Sequence, residues 1–184
     1  ADFPQLELYT LAQCCVTWLG ESKLADALNA GLDPHLAVAA QILGIEYAEA
    51  ERRQELGDEE VDNARQIGKV CNFGFPGGLG PDKLILFAKK TYGVILTRER
   101  AVELKAKWFE TWPEMQTYFV RINSLVQGGF GDVESLFTER FRGGATFCAA
   151  CNSGFQGLGA DCAKNSAWKI TRAGYVEDGS PLFN

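Results

Sequence analysis

Capping residues and glycines divide most of this sequence into short amphipathic helical segments. Residues 6–19 repeat apolar side chains near a 3.6-residue period and stop at Gly20. Asp33 and Asp58 each precede a segment with the composition of a helix N-terminus. Residues 129–144 instead alternate apolar and polar side chains between glycines, which is typical of a short hairpin. The sequence therefore predicts a mainly α protein with a small β component, of the α+β class.

The helix that begins after Asp58 is expected to end abruptly. Pro76 cannot continue a regular helix, because it lacks an N–H and its ring clashes with the preceding turn. The residue before a proline is biased toward extended backbone, so Phe75 is expected to leave helical geometry. Three glycines follow within four residues, which indicates an irregular connection.

Composition indicates a globular protein with a substantial core, since 46% of the 184 residues are hydrophobic and 23% are charged. No apolar run reaches the roughly 18–20 residues of a membrane span. No basic-then-apolar leader opens the sequence. The six cysteines include the adjacent pair Cys14 and Cys15 and otherwise occupy helical or glycine-rich contexts, which favours reduced thiols. These features predict a cytoplasmic protein without a membrane partner.

The charge distribution qualifies the net charge of -6, which by itself disfavours a nucleic-acid partner. Residues 65–107 contain nine Lys and Arg against three Asp and Glu, and acidic segments flank them. A basic middle segment favours a polyanionic ligand. An ordinary solvated helical surface is an equally good explanation at this point.

One helical stripe combines cationic and aromatic side chains. Arg65, Lys69 and Phe73 follow one another at four-residue intervals, which rotates each only about 40° from the last. The two cations could bind a polyphosphate, and the ring could pack against a sugar or base. Gly74 would let a partner approach the backbone closely. The alternative is a pair of surface cations with Phe73 in the core.

Two further residues are ambiguous on local grounds. Asp2 could bind a hard cation such as Mg²⁺, although a helix N-cap is favoured from spacing alone. His35, the single histidine, could contact a phosphate near a helix N-terminus. A solvent-facing side chain in the first helical turn is the simpler interpretation of His35.

Near the end of the sequence, amides lie in a Gly- and Ala-rich helical segment. Asn152 and Gln156 could donate hydrogen bonds to base edges or sugars, or could point outward from a tight helix crossing. Cys148 and Cys151 have zinc-like spacing but no second pair, so helix packing is favoured over metal binding.

Five ordered motifs resemble those of the family A DNA polymerases, the type of bacterial DNA polymerase I and its phage relatives. "DFPQLEL" resembles the family's D-Y-S-Q-I-E-L, and "DPHLAVAA" resembles D-x-H-x-x-x-A. "RQIGKVCNFGFPGG" resembles R-x-x-x-K-x-x-x-F-G-x-x-Y-G. "GDVESLF" and "NSGFQGLGAD" resemble G-Y-V-E-T-L-F and N-x-x-x-Q-G-x-x-A-D. The resemblance covers almost the whole sequence, and the order makes it far more specific than any one motif.

The resemblance implies a fragment of polymerase palm and fingers. Residues 1–32 and 128–184 would belong to the palm, and residues 33–127 would form the helical fingers subdomain. The fragment would act on primer–template DNA and a dNTP, together with the remaining polymerase domains. Two Mg²⁺ ions would assist phosphoryl transfer in the complete enzyme, in a bacterial or phage-infected cytoplasm.

The resemblance also implies roles for individual residues at the reaction centre. Asp2 would bind metal as one of two catalytic aspartates, and Lys69 would stabilise the transferring phosphoryl charge. Glu7 would be the steric gate that selects deoxynucleotides. Phe73 would pack against the nucleotide's sugar and base. The triphosphate would be held by three side chains: His35, Arg65 and Lys69.

Contacts to primer–template are implied for a second set of residues. These are Gln5, Gly74, Gly77, Asn152 and Gln156. The glycine run after Phe73 would let the helix rotate as the template base passes.

Two departures from the family pattern affect the expected activity. The family's tyrosine in F-G-x-x-Y-G falls on Gly77, which alters the surroundings of the gate Glu7. The V-H-D-E motif with the second metal-binding aspartate would follow Asn184, so this fragment alone is expected to be inactive. The alternatives are a non-catalytic nucleotide- or DNA-binding helical module, and a purely structural interaction domain without dNTP affinity.

Overall fold

The computed structural model describes residues 5–175 of the 184-residue chain. Nine α-helices lie within that range: α1 Leu6–Leu19, α2 Lys23–Asn29, α3 Pro34–Leu43, α4 Tyr47–Glu55, α5 Glu59–Gly74, α6 Pro81–Phe87, α7 Arg98–Thr111, α8 Glu114–Leu125 and α9 Phe147–Tyr175. Two strands, β1 Gly131–Glu134 and β2 Phe141–Ala145, precede α9. This architecture confirms the predicted fold class, mainly α with a small β component.

The predicted helix ends coincide with capping hydrogen bonds. The Asp33 carboxylate accepts from the backbone N–H groups of His35 and Leu36, and Asp58 does the same at the start of α5. Gly20 ends α1 in the left-handed conformation with φ 90°. Local hydrogen bonding therefore determines these boundaries, as the sequence predicts.

The expectation for Phe75 is wrong. Phe75 has φ −66° and ψ −41°, and residues Phe75–Gly77 form one 3-10 turn that continues α5. Phe75 is completely buried, and its ring lies 5.4 Å from that of Trp108 between centroids. Burial of this aromatic side chain outweighs the local bias against helical backbone before Pro76.

A turn of π-helix follows α6 and was not predicted. Residues Ala88–Tyr92 form this turn, which ends at Gly93 with φ 69°. The widened turn brings the Tyr92 ring edge-on to Phe87, with centroids 5.6 Å apart. Tyr92 is also one of the residues of the candidate functional site.

The predicted hairpin is confirmed. β1 and β2 pair antiparallel, with Glu134 opposite Phe141 and Gly131 opposite Ala145, and an irregularity lies between Gly131 and Val133. Val133 and Ala145 are buried, so one face of the hairpin packs into the protein. The hairpin also contacts α8 and α9.

One hydrophobic core connects the start, middle and end of the described chain. Trp108 and Tyr118 are its largest fully buried side chains, and α1 contributes Leu8 and Leu11. A smaller cluster lies where α3 and α4 meet α5. Within residues 5–175, no helix has both the length and the apolar character needed to cross a membrane.

Candidate functional site

Arg65, Lys69 and Phe73 lie on one face of α5 and are each partly exposed. We refer to these three residues as the α5 stripe. Gly68 and Asn72, which directly precede Lys69 and Phe73, are buried against neighbouring helices. Phe73 is therefore not a core residue, and the spacing argument for a mixed cationic and aromatic face holds in three dimensions.

Arg65 is held in place by the N-cap of α3. Its Nε and Nη2 atoms donate to the same oxygen of Asp33, at 2.7 and 2.6 Å. The other Asp33 oxygen accepts from the His35 backbone N–H at 2.8 Å. Within residues 5–175, Nη1 of Arg65 has no hydrogen-bond partner, so one edge of the guanidinium can still donate to a ligand.

His35 packs against the α5 stripe and is not solvent-facing. The side chain is only 3% exposed, and its ring centroid lies 5.4 Å from that of Phe73. The simpler interpretation of His35 as a solvent-facing residue is wrong. The first turn of α3 crosses α5 closely because Gly68 has no side chain, which places His35 inside the helix crossing.

The surroundings of His35 keep its imidazole neutral. The pKa of His35 is lowered to about 4, mainly by burial and also by the positive charges of Arg65 and Lys69, against the opposing effect of Asp33. Two cations from α5 and an imidazole from α3 therefore share one electrostatic environment.

Lys69 lies over an aromatic ring. Its Nζ is 6.0 Å from the ring centroid of Tyr92. In the part of the chain that the structure describes, Lys69 forms no ion pair. Among the described residues no acidic side chain pairs with this ammonium, so it can contact an anionic ligand.

Tyr92 connects the α5 stripe to the start of α1. Burial raises the pKa of the Tyr92 hydroxyl, and the negative charge of Glu7 raises it further. Glu7, Tyr92 and Lys69 therefore lie in one neighbourhood. Sequence reasoning missed Tyr92, and no local signal identifies it, since its contacts depend on the π turn and on residues far along the chain.

The remaining predicted residues near α1 are only partly described. Asp2, the predicted metal ligand, lies outside the described residues. Gln5 precedes α1 with φ 58°, and its carbonyl accepts from the N–H groups of Leu8 and Tyr9. Across residues 5–175, no group of three or more His, Cys, Asp or Glu side chains could hold a metal ion.

Gly74 and Gly77 are both buried. A Cβ on Gly74 would lie 2.5 Å from the Leu84 Cδ1 atom, and a Cβ on Gly77 would lie 2.9 Å from the Asn152 Oδ1 atom. What approaches these glycines is thus the protein's own α6 and α9. Contact between either glycine and DNA stays a prediction, and it would require this packing to open.

Asn152 and Gln156 line a groove of about 450 Å³ between the hairpin and α9. Sequence reasoning missed two arginines on the same groove, Arg140 and Arg142. Arg140 directly precedes β2 and Arg142 lies within it. Their two-residue spacing at an extended segment could have indicated a shared face.

The two groove arginines are anchored to α9 in different ways. Arg140 Nη2 lies 3.0 Å from the partly buried carboxylate of Asp161, whereas Arg142 Nη1 donates to the Ser153 hydroxyl at 3.1 Å. Phe141 lies between them and is largely exposed. The groove therefore offers cations, an aromatic ring and amides to one ligand.

Substitution of Gly77 by alanine is expected to destabilise the protein by about 1 kcal/mol, because the new Cβ pushes against the Asn152 amide. In an Asn152→Ala background the same substitution is expected to cost almost nothing. Urea unfolding of the four proteins in this double-mutant cycle measures the coupling. Equal costs of Gly77→Ala in both backgrounds would show that this contact does not constrain position 77.

Comparison with solved structures identifies the class of fold. The chain superimposes on the "POL domain of Pol1 from M. smegmatis complex with DNA primer-template and dNTP" with a TM-score of 0.65 and 21% sequence identity. The match covers 95% of this chain and 30% of that chain. The fold is therefore that of part of a polymerase domain. No protein-family model matches the sequence.

Sequence comparison gives named relatives. The chain is 30% identical over 165 residues to DNA polymerase I of Aquifex aeolicus, covering 89% of this chain and 26% of that protein. It is 28% identical over 182 residues to DNA polymerase I of Caldicellulosiruptor bescii, covering 92% and 19%. These findings confirm the predicted resemblance to DNA polymerase I. The chain spans about a quarter, or less, of the length of these relatives.

Proposed function

We propose that this chain provides the nucleotide-binding part, and some of the primer–template contacts, of a template-directed DNA polymerase. The complete enzyme would add deoxynucleotides to a primer 3′ end. The observation that supports this proposal is the convergence of the α5 stripe with His35 and Tyr92 on one face. The similarity to DNA polymerase I over most of the chain supports it independently.

The cationic part of this face suits a triphosphate. Lys69 has no acidic partner among residues 5–175, and Arg65 keeps a donor edge beyond its pair with Asp33. A phosphate chain between them would gain charge-assisted hydrogen bonds. Because Asp33 fixes the orientation of Arg65, that side chain loses little further freedom when the ligand binds. Lys69 would stabilise the charge of the transferring phosphoryl group.

The aromatic part of the face suits the nucleoside. The Phe73 ring is partly exposed and backed by His35, so a sugar or base could pack on its open side. Glu7 lies near Tyr92, next to the predicted phosphate site. We infer that Glu7 selects deoxyribose by occupying the space that a 2′-hydroxyl would need.

Metal chemistry would involve residues beyond those described. We propose that Asp2 binds Mg²⁺ in the complete enzyme, together with a second carboxylate from another segment of that enzyme. The ions would activate the primer hydroxyl and neutralise the leaving pyrophosphate. The described residues orient the nucleotide for that reaction.

The groove beside α9 is the proposed primer–template contact of this segment. Asn152 and Gln156 would hydrogen-bond to bases or sugars, and Gln5, Gly74 and Gly77 would also contact primer–template DNA. Residues 1–32 and 128–184 would form palm segments, and residues 33–127 would form the fingers. Primer extension would require the remaining polymerase domains, in a bacterial or phage-infected cytoplasm.

Binding of dATP to this chain tests the proposal. We expect Lys69→Met to weaken dATP affinity about 10- to 100-fold, since a charge-assisted contact to phosphate is lost. Isothermal titration calorimetry in the presence of Mg²⁺ measures this change. The matched control is Lys83→Met, which removes an equal charge from an exposed position on α6 and should leave affinity within about twofold.

The alternatives predict different results. A structural interaction domain predicts no dATP affinity in the wild-type chain. Equal weakening by Lys69→Met and Lys83→Met would indicate diffuse attraction to a basic surface instead of a site. A non-catalytic nucleotide-binding module predicts the same affinities as the polymerase. The non-catalytic alternative is wrong if Asp2→Ala abolishes primer extension by a complete protein that contains this segment.

A further inference from the structure

The side-chain amide of Asn72, on α5, is buried and has two hydrogen-bond partners at its oxygen and two at its nitrogen. Its Oδ1 accepts from Nε1 of Trp108 at 2.9 Å and from Nε1 of Trp112 at 3.0 Å. Its Nδ2 donates to the Pro34 carbonyl at 2.9 Å and lies 3.1 Å from Nδ1 of His35. Asn72 therefore connects two tryptophans to the histidine of the candidate site.

The partners of Asn72 determine which way its amide points. An indole N–H can only donate, so the amide oxygen must face Trp108 and Trp112. A backbone carbonyl can only accept, so the amide nitrogen must face Pro34. The second N–H of that nitrogen then points at Nδ1 of His35. Nδ1 must accept, which places the imidazole proton on Nε2.

The other ring nitrogen of His35 has a different environment. Within residues 5–175, Nε2 has no hydrogen-bond partner, and the one fully buried side-chain N or O atom without a partner is Glu114 Oε2. Nε2 is therefore the ring nitrogen that the hydrogen bonds of Asn72 leave open to another acceptor, although the residue is only 3% exposed. Arg65 and Lys69 lie within electrostatic reach of the ring.

We propose that Asn72 is a positioning residue that fixes His35 as a neutral imidazole whose Nε2–H donates to a phosphate oxygen of the nucleotide. The phosphate part of this inference rests on the proposed function. Protonation of Nδ1 would bring two N–H groups face to face, so the hydrogen-bond network opposes it. The charged groups around the ring are Asp33, Arg65 and Lys69, and the two cations also disfavour a third positive charge.

A neutral donor has a specific advantage at this position. Arg65 and Lys69 already provide positive charge, and an imidazolium between them would repel both. A fixed Nε2–H instead adds a directed hydrogen bond without that repulsion. It also keeps the site unchanged over the pH range in which a free imidazole would titrate.

Nitrogen-15 NMR of the imidazole tests the tautomer directly, because His35 is the only histidine in the chain. The protein is used without a histidine tag. We expect the wild-type spectrum to show the Nε2–H tautomer and to stay unchanged between pH 8 and pH 6. A wild-type Nδ1–H tautomer, or titration near pH 6.5, would overturn the inference.

The variant Asn72→Asp tests the role of the amide. The aspartate side chain has the same shape and keeps an oxygen that accepts from both tryptophans. Its second oxygen replaces the amide nitrogen, so Nδ1 of His35 faces an acceptor instead of a donor. We expect His35 to carry a proton on Nδ1 at pH 6 in this variant. Tryptophan fluorescence and circular dichroism check that it is folded. An unchanged His35 spectrum in folded Asn72→Asp contradicts the positioning role, and the wild-type result decides the tautomer if the variant does not fold.

Addition of dATP separates this inference from the proposed function. We expect dATP to shift the Nε2 and Nε2–H resonances of wild-type His35 without changing the tautomer. If calorimetry detects dATP binding but these resonances do not move, the phosphate contact is wrong and the nucleotide site stands. If dATP does not bind, the proposed function fails, whereas the tautomer result is judged separately.

Discussion

Replacement of Lys69 by methionine is expected to lower kcat for nucleotide addition about 100- to 1000-fold in a polymerase that contains this segment and the remaining domains. This magnitude is typical for loss of one preorganised donor to charge that develops in a transition state. The apparent KM for dNTP should rise less, because in the proposed site Arg65 and His35 would still contact the triphosphate. Single-turnover primer extension measures both constants.

The structure gives a reason why Lys69, and not Arg65, should affect the chemical step most. Arg65 is held by Asp33, and part of its charge is neutralised by that carboxylate. Lys69 has no acidic partner among the described residues and lies over the ring of Tyr92. Its flexible side chain can follow a phosphate whose charge distribution changes during transfer. Arg65 is better suited to hold the ground state.

The control for this prediction is Lys83→Met in the same complete polymerase. It removes one positive charge from the same basic segment but from an exposed position on α6. We expect kcat and KM within about twofold of the unmodified enzyme. If Lys69→Met lowers kcat less than about fivefold, Lys69 does not stabilise the transferring phosphoryl group.

Features set by local hydrogen bonding could be predicted from the sequence. Asp33 and Asp58 cap helices because each carboxylate bonds to backbone N–H groups two and three residues ahead. The α5 stripe could also be predicted, since four-residue spacing on a helix fixes relative directions whatever else the helix contacts. These inferences need no knowledge of the tertiary structure.

Features set by distant contacts could not be predicted. Phe75 keeps helical backbone because Trp108 packs on it, and the orientation of Asn72 depends on tryptophans 36 and 40 residues further along the chain. The spacing of Arg65 and Lys69 does not reveal that Asp33 pairs with Arg65, whereas Lys69 forms no ion pair within residues 5–175. The local sequence pattern therefore predicts which residues form the candidate site. Tertiary packing determines how the contacts of Arg65 and Lys69 differ.

The groove beside α9 illustrates the same limit. Asn152 and Gln156 could be predicted as candidates because they are amides in a Gly- and Ala-rich helical segment. Arg140 and Arg142 join them only because the hairpin folds back onto α9. The residue that replaces the family's tyrosine, Gly77, is packed under the Asn152 amide. A substitution in one motif is therefore linked to a side chain in another, and one sequence alone does not reveal such a link.

Substitution of Gly68 by alanine is expected to destabilise the protein by about 2 kcal/mol and to weaken dATP binding at least tenfold. A Cβ at this position would lie 2.4 Å from the carbonyl oxygen of His35. Because the obstacle is backbone, α3 and α5 must separate, and the cost of this overpacking exceeds the gain in helix propensity of about 1 kcal/mol. Separation of the helices also withdraws His35 from the α5 stripe.

Thermal unfolding and calorimetry together measure this prediction, with a fall in Tm of roughly 4–8 °C expected for Gly68→Ala. Gly80→Ala is the matched control, because Gly80 has φ −79° and a Cβ there would meet no atom within 4 Å. Its Tm and dATP affinity should match those of the wild type. If Gly68→Ala is instead as stable as the wild type and binds dATP equally well, the α3–α5 crossing does not define the nucleotide site. A loss of stability without a loss of affinity would mean that the crossing supports the fold alone.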